Sequence, residues 1–455
     1  MRAPTVTSVT CPVCGCLCDD LEVTVRDNRI VAVKNACAVS EAKFLSYHCH
    51  RQTTPLIRKD GQLKEASLEE AIQRSAQILT GASYPILYGW SNTSCEAIRV
   101  GLELAEEVGG VIDNTSTVCH GPSVLSIQDV GLASCTLGQL RHRADLVIYW
   151  GSNPWSSHPR HVERYTAFTD GRFQASTWRR YLARQDAAEA KKRVQRATVL
   201  ASGKRVSVPP LVSRRLPPTM QRMERKMVVV DVRRTRSAEV ADYFLQVEPN
   251  SDYELLQALR VLVMDGELDV EEVSGVPVEV LEEVADVMVN CSLGVLFFGV
   301  GLTMSQGKLR NVDAAISLVR DLNRRTKFLI MPMRGHFNVT GADTVFTWQT
   351  GYPYAVDLSH GYPQYNPGET SIVDILLRGE ADASLVVASD PVAHLPRDAV
   401  KSLVGNPIIV IDPHVTATAL MADVVIPSAF VGIEAPGTAY RICLLYTSPS
   451  PRDRT

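Results

Sequence analysis

The residues most able to do chemistry stand at the start of the chain. Cys11, Cys14 and Cys18 lie at C-x2-C-x3-C spacing in CPVCGCLCDD, and Cys37 follows in NACAVS. Four soft thiolates suit an iron–sulfur cluster, and a tight loop can bring three of them to one face of a cubane. A structural zinc site would also accept four cysteines, but it usually draws on two C-x2-C knuckles, and the second knuckle is absent here. Cys16 is an extra thiol inside the motif. Cys49, between His48 and His50, is a further soft-metal candidate, although an isolated H-C-H is more often incidental. A second constellation is Cys119-His120 in NTSTVCHGPS. A lone Cys-His pair is weak, because free cysteine commonly serves as a small buried hydrophobe.

These residues need elements to hold them. From about residue 52, short and nearly continuous apolar runs recur: YPILYGW, ADLVIYWG, MVVVDVRRT, LGVLFFGVG, TKFLIMPM, ASLVVASD and PIIVIDP. Strands buried on both faces of a parallel sheet have this character. Between them lie helical patterns in SCEAIRVGLELAEEVGG, SDYELLQALRVLVMDG and GKLRNVDAAISLVRDLNRR, the first two expected to end in glycine caps. The alternation predicts an α/β fold: a small cysteine-rich unit over residues 1–51, then two doubly wound sheets over 52–440.

With 455 residues, 45% hydrophobic and 21% charged, and a formal charge of −3, the chain is an ordinary globular protein with several domains, and its composition names no nucleic-acid partner. The N-terminus has no apolar export segment, and the longest apolar stretch, LGVLFFGVGL, is far short of the ~20 residues that span a bilayer. A cytoplasmic, non-membrane protein is expected. In that setting eleven cysteines point to metal or catalysis rather than disulfides.

Two stretches stand apart. Residues 172–226 hold 15 Lys or Arg against 3 Asp or Glu, with two Pro-Pro pairs, and read as an exposed basic insertion without a catalytic role. The end, 441–455 with CLLYTSPSPRD, looks like the translation of a sequencing adapter, so Cys443 is discounted.

Taken in order, CPVCGCLCDD, NACAVSEAKF, AEEVGGVIDNTSTVCHGPS, WGSNPWSSHPRH, VVVDVRRT and MRGHFNVTGAD resemble the B-type component of formylmethanofuran dehydrogenase, a branch of the molybdopterin oxidoreductases. The resemblance runs from about residue 8 to Tyr440, interrupted by the basic insertion. It implies one 4Fe–4S cluster on Cys11, Cys14, Cys18 and Cys37, and tungsten or molybdenum held by two molybdopterin guanine dinucleotides with Cys119 as the protein ligand. His120 and Arg334 would line the place where carbon dioxide and formate interconvert, with His336 beside them and Cys119 facing Arg334. A histidine can move the accompanying proton, and an arginine fork can hold a carboxylate. The blander readings are a domain-bridging ion pair for Arg334 and a satisfied interior histidine for His336.

The dinucleotides would lie on strand-end loops: Gly151-Ser152-Asn153-Pro154, Asp231 with Arg233 and Thr235, Gly299 and Gly301, and Ser389-Asp390-Pro391. Each of these could also be a simple βα turn. Asp412 and Thr416, with Thr418, Asp423, Pro427, Glu434 and Gly437, resemble the pattern closing the second pterin site. Implied partners are an A-type amidohydrolase subunit, a C-type subunit, a D-type subunit supplying the β-barrel missing here, and ferredoxin-like electron donors. The alternatives are a B-like scaffold subunit of a formyltransferase/hydrolase complex without redox chemistry, or a formate dehydrogenase of the same superfamily. The four cluster cysteines, Cys119, His120 and Arg334 are all present, which favours a redox site.

Overall fold

The computed structural model describes residues 4–169, 171–172, 198–199 and 225–442. The terminal segment from Cys443 and most of the basic insertion lie outside the described residues.

All seven apolar runs form strands, and they do so in two sheets that belong to two compact units. One unit comprises the described residues of 122–334 and Ile442. Its sheet is parallel throughout, ordered Lys327–Pro332, Leu293–Phe298, Leu146–Trp150, Lys226–Asp231, Tyr243–Gln246 and Thr198–Val199. The continuous apolar character has a direct cause. Along Leu146–Trp150, Leu146, Ile148 and Trp150 enter one core while Val147 and Tyr149 enter another on the opposite face. A sheet covered on both sides has no polar face to show.

The other unit comprises the described residues of 4–121 and 335–441. The five central strands of its sheet run parallel in the order Val111–Asn114, Pro85–Gly89, Ala383–Val387, Ile408–Ile411 and Val424–Ile426. Short antiparallel strands close both edges. Alternate residues again divide between two cores, with Leu87 and Leu385 on one face and Ile86, Tyr88 and Val386 on the other. The cysteine-rich start folds in this unit as a three-stranded antiparallel sheet, Thr5–Val9, Leu21–Arg26 and Arg29–Lys34, followed by the helix Ala38–Ser46.

All three expected helices form, the third as Leu309–Leu322, but only one of the two expected glycine caps does. Cys95–Val108 stops at Gly109 in the left-handed conformation. Asp252–Val263 ends at Met264, and the left-handed position beyond it is Asp265, not Gly266. Aspartate tolerates this region better than most residues. Gly266 serves close approach instead: a Cβ there would stand 2.6 Å from Val261 Cγ1.

Arg225, 1% exposed, anchors the strand that follows the basic insertion. Its guanidinium donates to the carbonyls of Ala144 (2.7 Å), Tyr165 (3.0 Å), Arg141 (2.7 Å) and Thr166. Arg225→Met should leave these buried acceptors short of donors and destabilise the chain by about 3 kcal/mol. Chemical denaturation reads this directly, and an unchanged midpoint would refute it.

Candidate active site

Ligands of doubly wound sheets bind beyond the carboxyl ends of the strands, where the strand order reverses. Each unit has one such place. Numbered along the chain and leaving out the two-residue edge strand Thr198–Val199, the first sheet described runs 3-2-1-4-5 through Tyr243–Gln246, Lys226–Asp231, Leu146–Trp150, Leu293–Phe298 and Lys327–Pro332. Its reversal lies between Leu146–Trp150 and Leu293–Phe298, so it is flanked by Gly151-Ser152-Asn153-Pro154 and by Gly299 and Gly301. These glycines lie against one another: a Cβ on Gly301 would sit 2.7 Å from Gly151 Cα, and one on Gly299 would sit 2.5 Å from the Gly151 carbonyl. Their smallness lets the two strand-end loops close together. Ser152 is buried, Asn153 accepts from Ser237 Oγ at 2.7 Å, and Pro154 opens the short helix Pro154–Ser157. On the neighbouring strand Asp231 accepts the Arg233 N–H at 3.1 Å, Arg233 is exposed, and Thr235 caps the helix Arg236–Glu239.

This unit also carries Arg334, only 1% exposed, whose carbonyl accepts from His158 Nε2 at 2.7 Å. Ser157 Oγ lies 2.8 Å from the other ring nitrogen. Burial pushes the His158 pKa down to about 4, so a neutral ring holds the backbone at Arg334. Sequence reasoning missed His158, although it stands inside the WGSNPWSSHPRH motif.

In the other unit the order is 2-1-3-4-5, and the reversal lies between Pro85–Gly89 and Ala383–Val387. A cavity of about 730 Å3 opens there, lined by residues including Trp90, Asn92, Ala388, Asp412, His414 and His336. Trp90 and Ala388, the residues just after the two strands, both have positive φ, 69° and 50°. Non-glycine residues in this region cluster at functional loops. Gly89 is required where it stands, since a Cβ would meet the Val387 carbonyl at 2.0 Å. Trp90 and Asn92 were not singled out from sequence; they follow a strand with no residue type that advertises a site.

The acidic residues expected here are partly committed to structure. Asp390 accepts the Thr418 N–H (2.8 Å) and hydroxyl (2.6 Å), and Thr416 caps the helix Ala417–Met421, so together they fix the loops after two strands. Ser389 is half-buried beside them. Asp412 accepts the His414 N–H at 2.8 Å, and burial raises its pKa. His336 opens onto the cavity and is solvent-exposed rather than interior; partial desolvation by the cavity walls, then the neighbouring His394 and Lys43, lowers its pKa. Its Nδ1 lies 3.4 Å from Thr115 Oγ1.

Cys119 is half-buried and His120 fully buried, in the turn between the strand Val111–Asn114 and the helix Gly121–Val130. The Ser116 carbonyl accepts the N–H groups of Cys119, His120 and Gly121 at 3.1, 3.0 and 2.6 Å. Asn114 accepts the Ser116 N–H (2.8 Å) and donates to Pro353 O (3.1 Å), while Ser116 Oγ donates to Asp343 at 2.7 Å. Beneath them Asp113 accepts from Asn114 N, Thr117 Oγ1, Ala355 N and Ile372 N at 2.8 to 3.0 Å. The loop holding the thiol is thus tied to segments more than two hundred residues away.

Burial raises the Asp113 pKa to about 7. The native state therefore holds a proton that the unfolded chain has lost, and this group's stabilisation, complete at pH below about 4, is lost as pH rises through 7. Asp113→Asn should flatten that slope between pH 4 and 7 and cost about 2 kcal/mol, since one amide oxygen cannot serve all four donors. Urea unfolding at pH 4.5 and 7.5 checks both, and an unchanged slope would refute the assignment.

In the cysteine-rich start, Cys11 and Cys18 are buried and Cys14 and Cys37 half-buried. The Cys11 N–H donates to the Cys18 carbonyl at 2.8 Å, closing the loop. Cys37 caps the helix Ala38–Ser46, its sulfur accepting the Ser40 N–H at 3.4 Å, while Cys11 Sγ lies 3.1 Å from Ser40 Oγ. Burial pushes the Cys11 thiol up to about 12, with the neighbouring Cys18 and Cys14 adding to the rise, so the set needs a cationic centre to become thiolate. Among the described residues no three His, Cys, Asp or Glu side chains converge as one ion requires. A cubane does not ask this, because each iron takes its own thiolate. Cys16 is buried, and its thiol and N–H both lower the pKa of Cys14. Cys49 Sγ lies 3.7 Å from His48 Nε2.

Among the described residues no helix is long and apolar enough to cross a membrane. No protein-family model matches the chain. The chain is 47% identical over 440 residues to the B-type component of the tungsten-containing formylmethanofuran dehydrogenase 2 of Methanocaldococcus jannaschii, spanning 96% of this chain and 91% of that one. Two solved structures share the fold. The formyltransferase/hydrolase complex from Methylorubrum extorquens with methylofuran matches with a TM-score of 0.57 at 19% identity, over 80% of this chain and 84% of that chain. Acetylene hydratase from Pelobacter acetylenicus matches with a TM-score of 0.60 at 13% identity, over 93% and 63%. The extent and level of the first likeness decide the matter: the chain belongs to the family of B-type formylmethanofuran dehydrogenase subunits, oxidoreductases of the molybdopterin superfamily.

Proposed function

We propose that this chain is the redox component of a formylmethanofuran dehydrogenase complex, interconverting carbon dioxide and formate with two electrons and one proton at a tungsten or molybdenum bis-pterin site. The supporting observation is the rigid loop that presents the half-buried Cys119 at the carboxyl edge of a doubly wound sheet. Each unit also has a switch point, and one dinucleotide at each would account for two. The residues fit the group: a soft thiol for a soft metal, and a cavity of about 730 Å3 beside His336 and Asp412.

When bound, the pterin metal supplies the two-electron exchange with carbon. Cys119 would ligate it. Arg334, fixed through its carbonyl by His158, would hold the carboxylate oxygens. His120 would carry the proton, and His336, whose pKa its surroundings lower, would accept one. Cys11, Cys14, Cys18 and Cys37 would hold a 4Fe–4S cluster receiving electrons from ferredoxin-like donors. Formate would pass to an A-type subunit for condensation with the carrier amine, with C-type and D-type subunits completing the complex.

The test is metal and sulfide analysis beside dye-linked formate oxidation by the anaerobically purified complex. About four iron and four acid-labile sulfide for this chain's cluster, with tungsten or molybdenum, are expected. About one zinc and no sulfide would defeat the cluster assignment; loaded metal without formate oxidation would defeat the redox reading.

A further inference from the structure

Ser40 stands where two of the cluster cysteines meet. It is 1% exposed, three residues after Cys37, and part of the helix Ala38–Ser46. Its backbone N–H donates to Cys37 Sγ at 3.4 Å, and its hydroxyl lies 3.1 Å from Cys11 Sγ. As a thiol, Cys11 donates to that hydroxyl. As a metal-bound thiolate it has no proton to give, and the only polarity left at this distance is Ser40 O–H donating to sulfur.

We infer that Ser40 sets the reduction potential of the cluster by donating hydrogen bonds to two of its four cysteinyl sulfurs at once. This rests on the proposed 4Fe–4S cluster. Hydrogen bonds to the sulfurs are one of the levers on iron–sulfur potentials. The sign follows from electrostatics. One-electron reduction adds negative charge to the cluster and its thiolates, so a donor aimed at sulfur stabilises the reduced form more than the oxidised one and raises the potential. Ser40 is well placed for this. Ser40 and Cys11 are both buried, and away from water a hydrogen bond is worth more. The N–H half also lies in the first turn of a helix, whose N-terminal dipole favours the same negative charge. Ser40 is a positioning residue: it touches the ligands and not the reacting carbon.

The experiment compares the anaerobic complex carrying the parent chain, Ser40→Ala and Ser40→Thr. Iron and sulfide are counted first, and the cluster is then titrated with dithionite, one electron at a time, under electron paramagnetic resonance. Ser40→Ala keeps the backbone donor and loses the hydroxyl, so its midpoint should become more negative at unchanged iron and sulfide. Ser40→Thr keeps the hydroxyl and should return the midpoint toward the parent value. A fully loaded alanine variant with the parent midpoint would overturn the inference. So would outright loss of the cluster from that variant, which would make Ser40 an assembly residue. Absence of iron and sulfide from the parent chain would instead remove the cluster reading beneath it.

Discussion

Cys119→Ala should reduce dye-linked formate oxidation by the complex to background while leaving the chain folded and its N-terminal cluster spectroscopically intact. The loop around Cys119 is fixed by bonds that survive the substitution: the side chains of Asp113, Asn114, Ser116 and Thr117, and the backbone N–H of residue 119 itself. The mutation removes one sulfur from a half-buried position and should cost under about 1 kcal/mol of stability. If that sulfur ligates the pterin metal, losing it changes the donor set at the reacting centre, where no neighbouring residue of this loop offers a replacement of the same softness. The rival reading is a scaffold protein like that of the formyltransferase/hydrolase complexes. It expects no formate oxidation even in the parent complex, and equal deformylation of the carrier in parent and mutant. Assaying the two activities side by side separates the readings. A variant retaining most of its formate oxidation would show Cys119 to be an inert thiol.

Much of this arrangement is legible in the sequence, for identifiable reasons. The seven strands are readable because each is buried on two faces, which writes an unbroken apolar run such as LVIYW. The Cys119 turn is readable as a candidate only in company with the other motifs. What fixes it is not: Asp343 and Pro353 reach Ser116 and Asn114 across more than two hundred residues, and nothing local to NTSTVCHGPS announces them. Strand order is equally hidden, because it is decided by which strands pair. Without it, the loop at Trp90 and Asn92 is an ordinary βα turn; with it, that loop lies at a switch point. Glycines mislead in a related way. Gly266 looks like a helix cap, whereas its job is to let the chain approach Val261. At Gly151, Gly299 and Gly301 the missing side chains also let two strand-end loops touch, a packing role that the motif itself does not announce.

Arg334→Lys should lower kcat/KM for formate by about a hundredfold, equivalent to about 3 kcal/mol in the transition state, while carrier deformylation by the same complex is unchanged. Arg334 is among the largest fully buried side chains of the protein, at 1% exposure. Its backbone is pinned at the carbonyl by His158, whose neutral ring donates at 2.7 Å. That bond does not involve the side chain, so the substitution leaves the pinning in place and tests the guanidinium alone. Lysine keeps the charge but not the planar fork, so it can meet one carboxylate oxygen where arginine meets two. A flexible ammonium buried in the same space also shifts its pKa downward and can lose its charge, which deepens the defect at high pH. The loss should therefore be larger at pH 9 than at pH 7. An Arg334 serving only a structural ion pair would give a different pattern: unfolding at lower denaturant, with kcat/KM per folded molecule within about threefold of the parent. Measuring the denaturation midpoint beside the pH profile distinguishes the two, and a stable, fully active Arg334→Lys enzyme would remove Arg334 from the site.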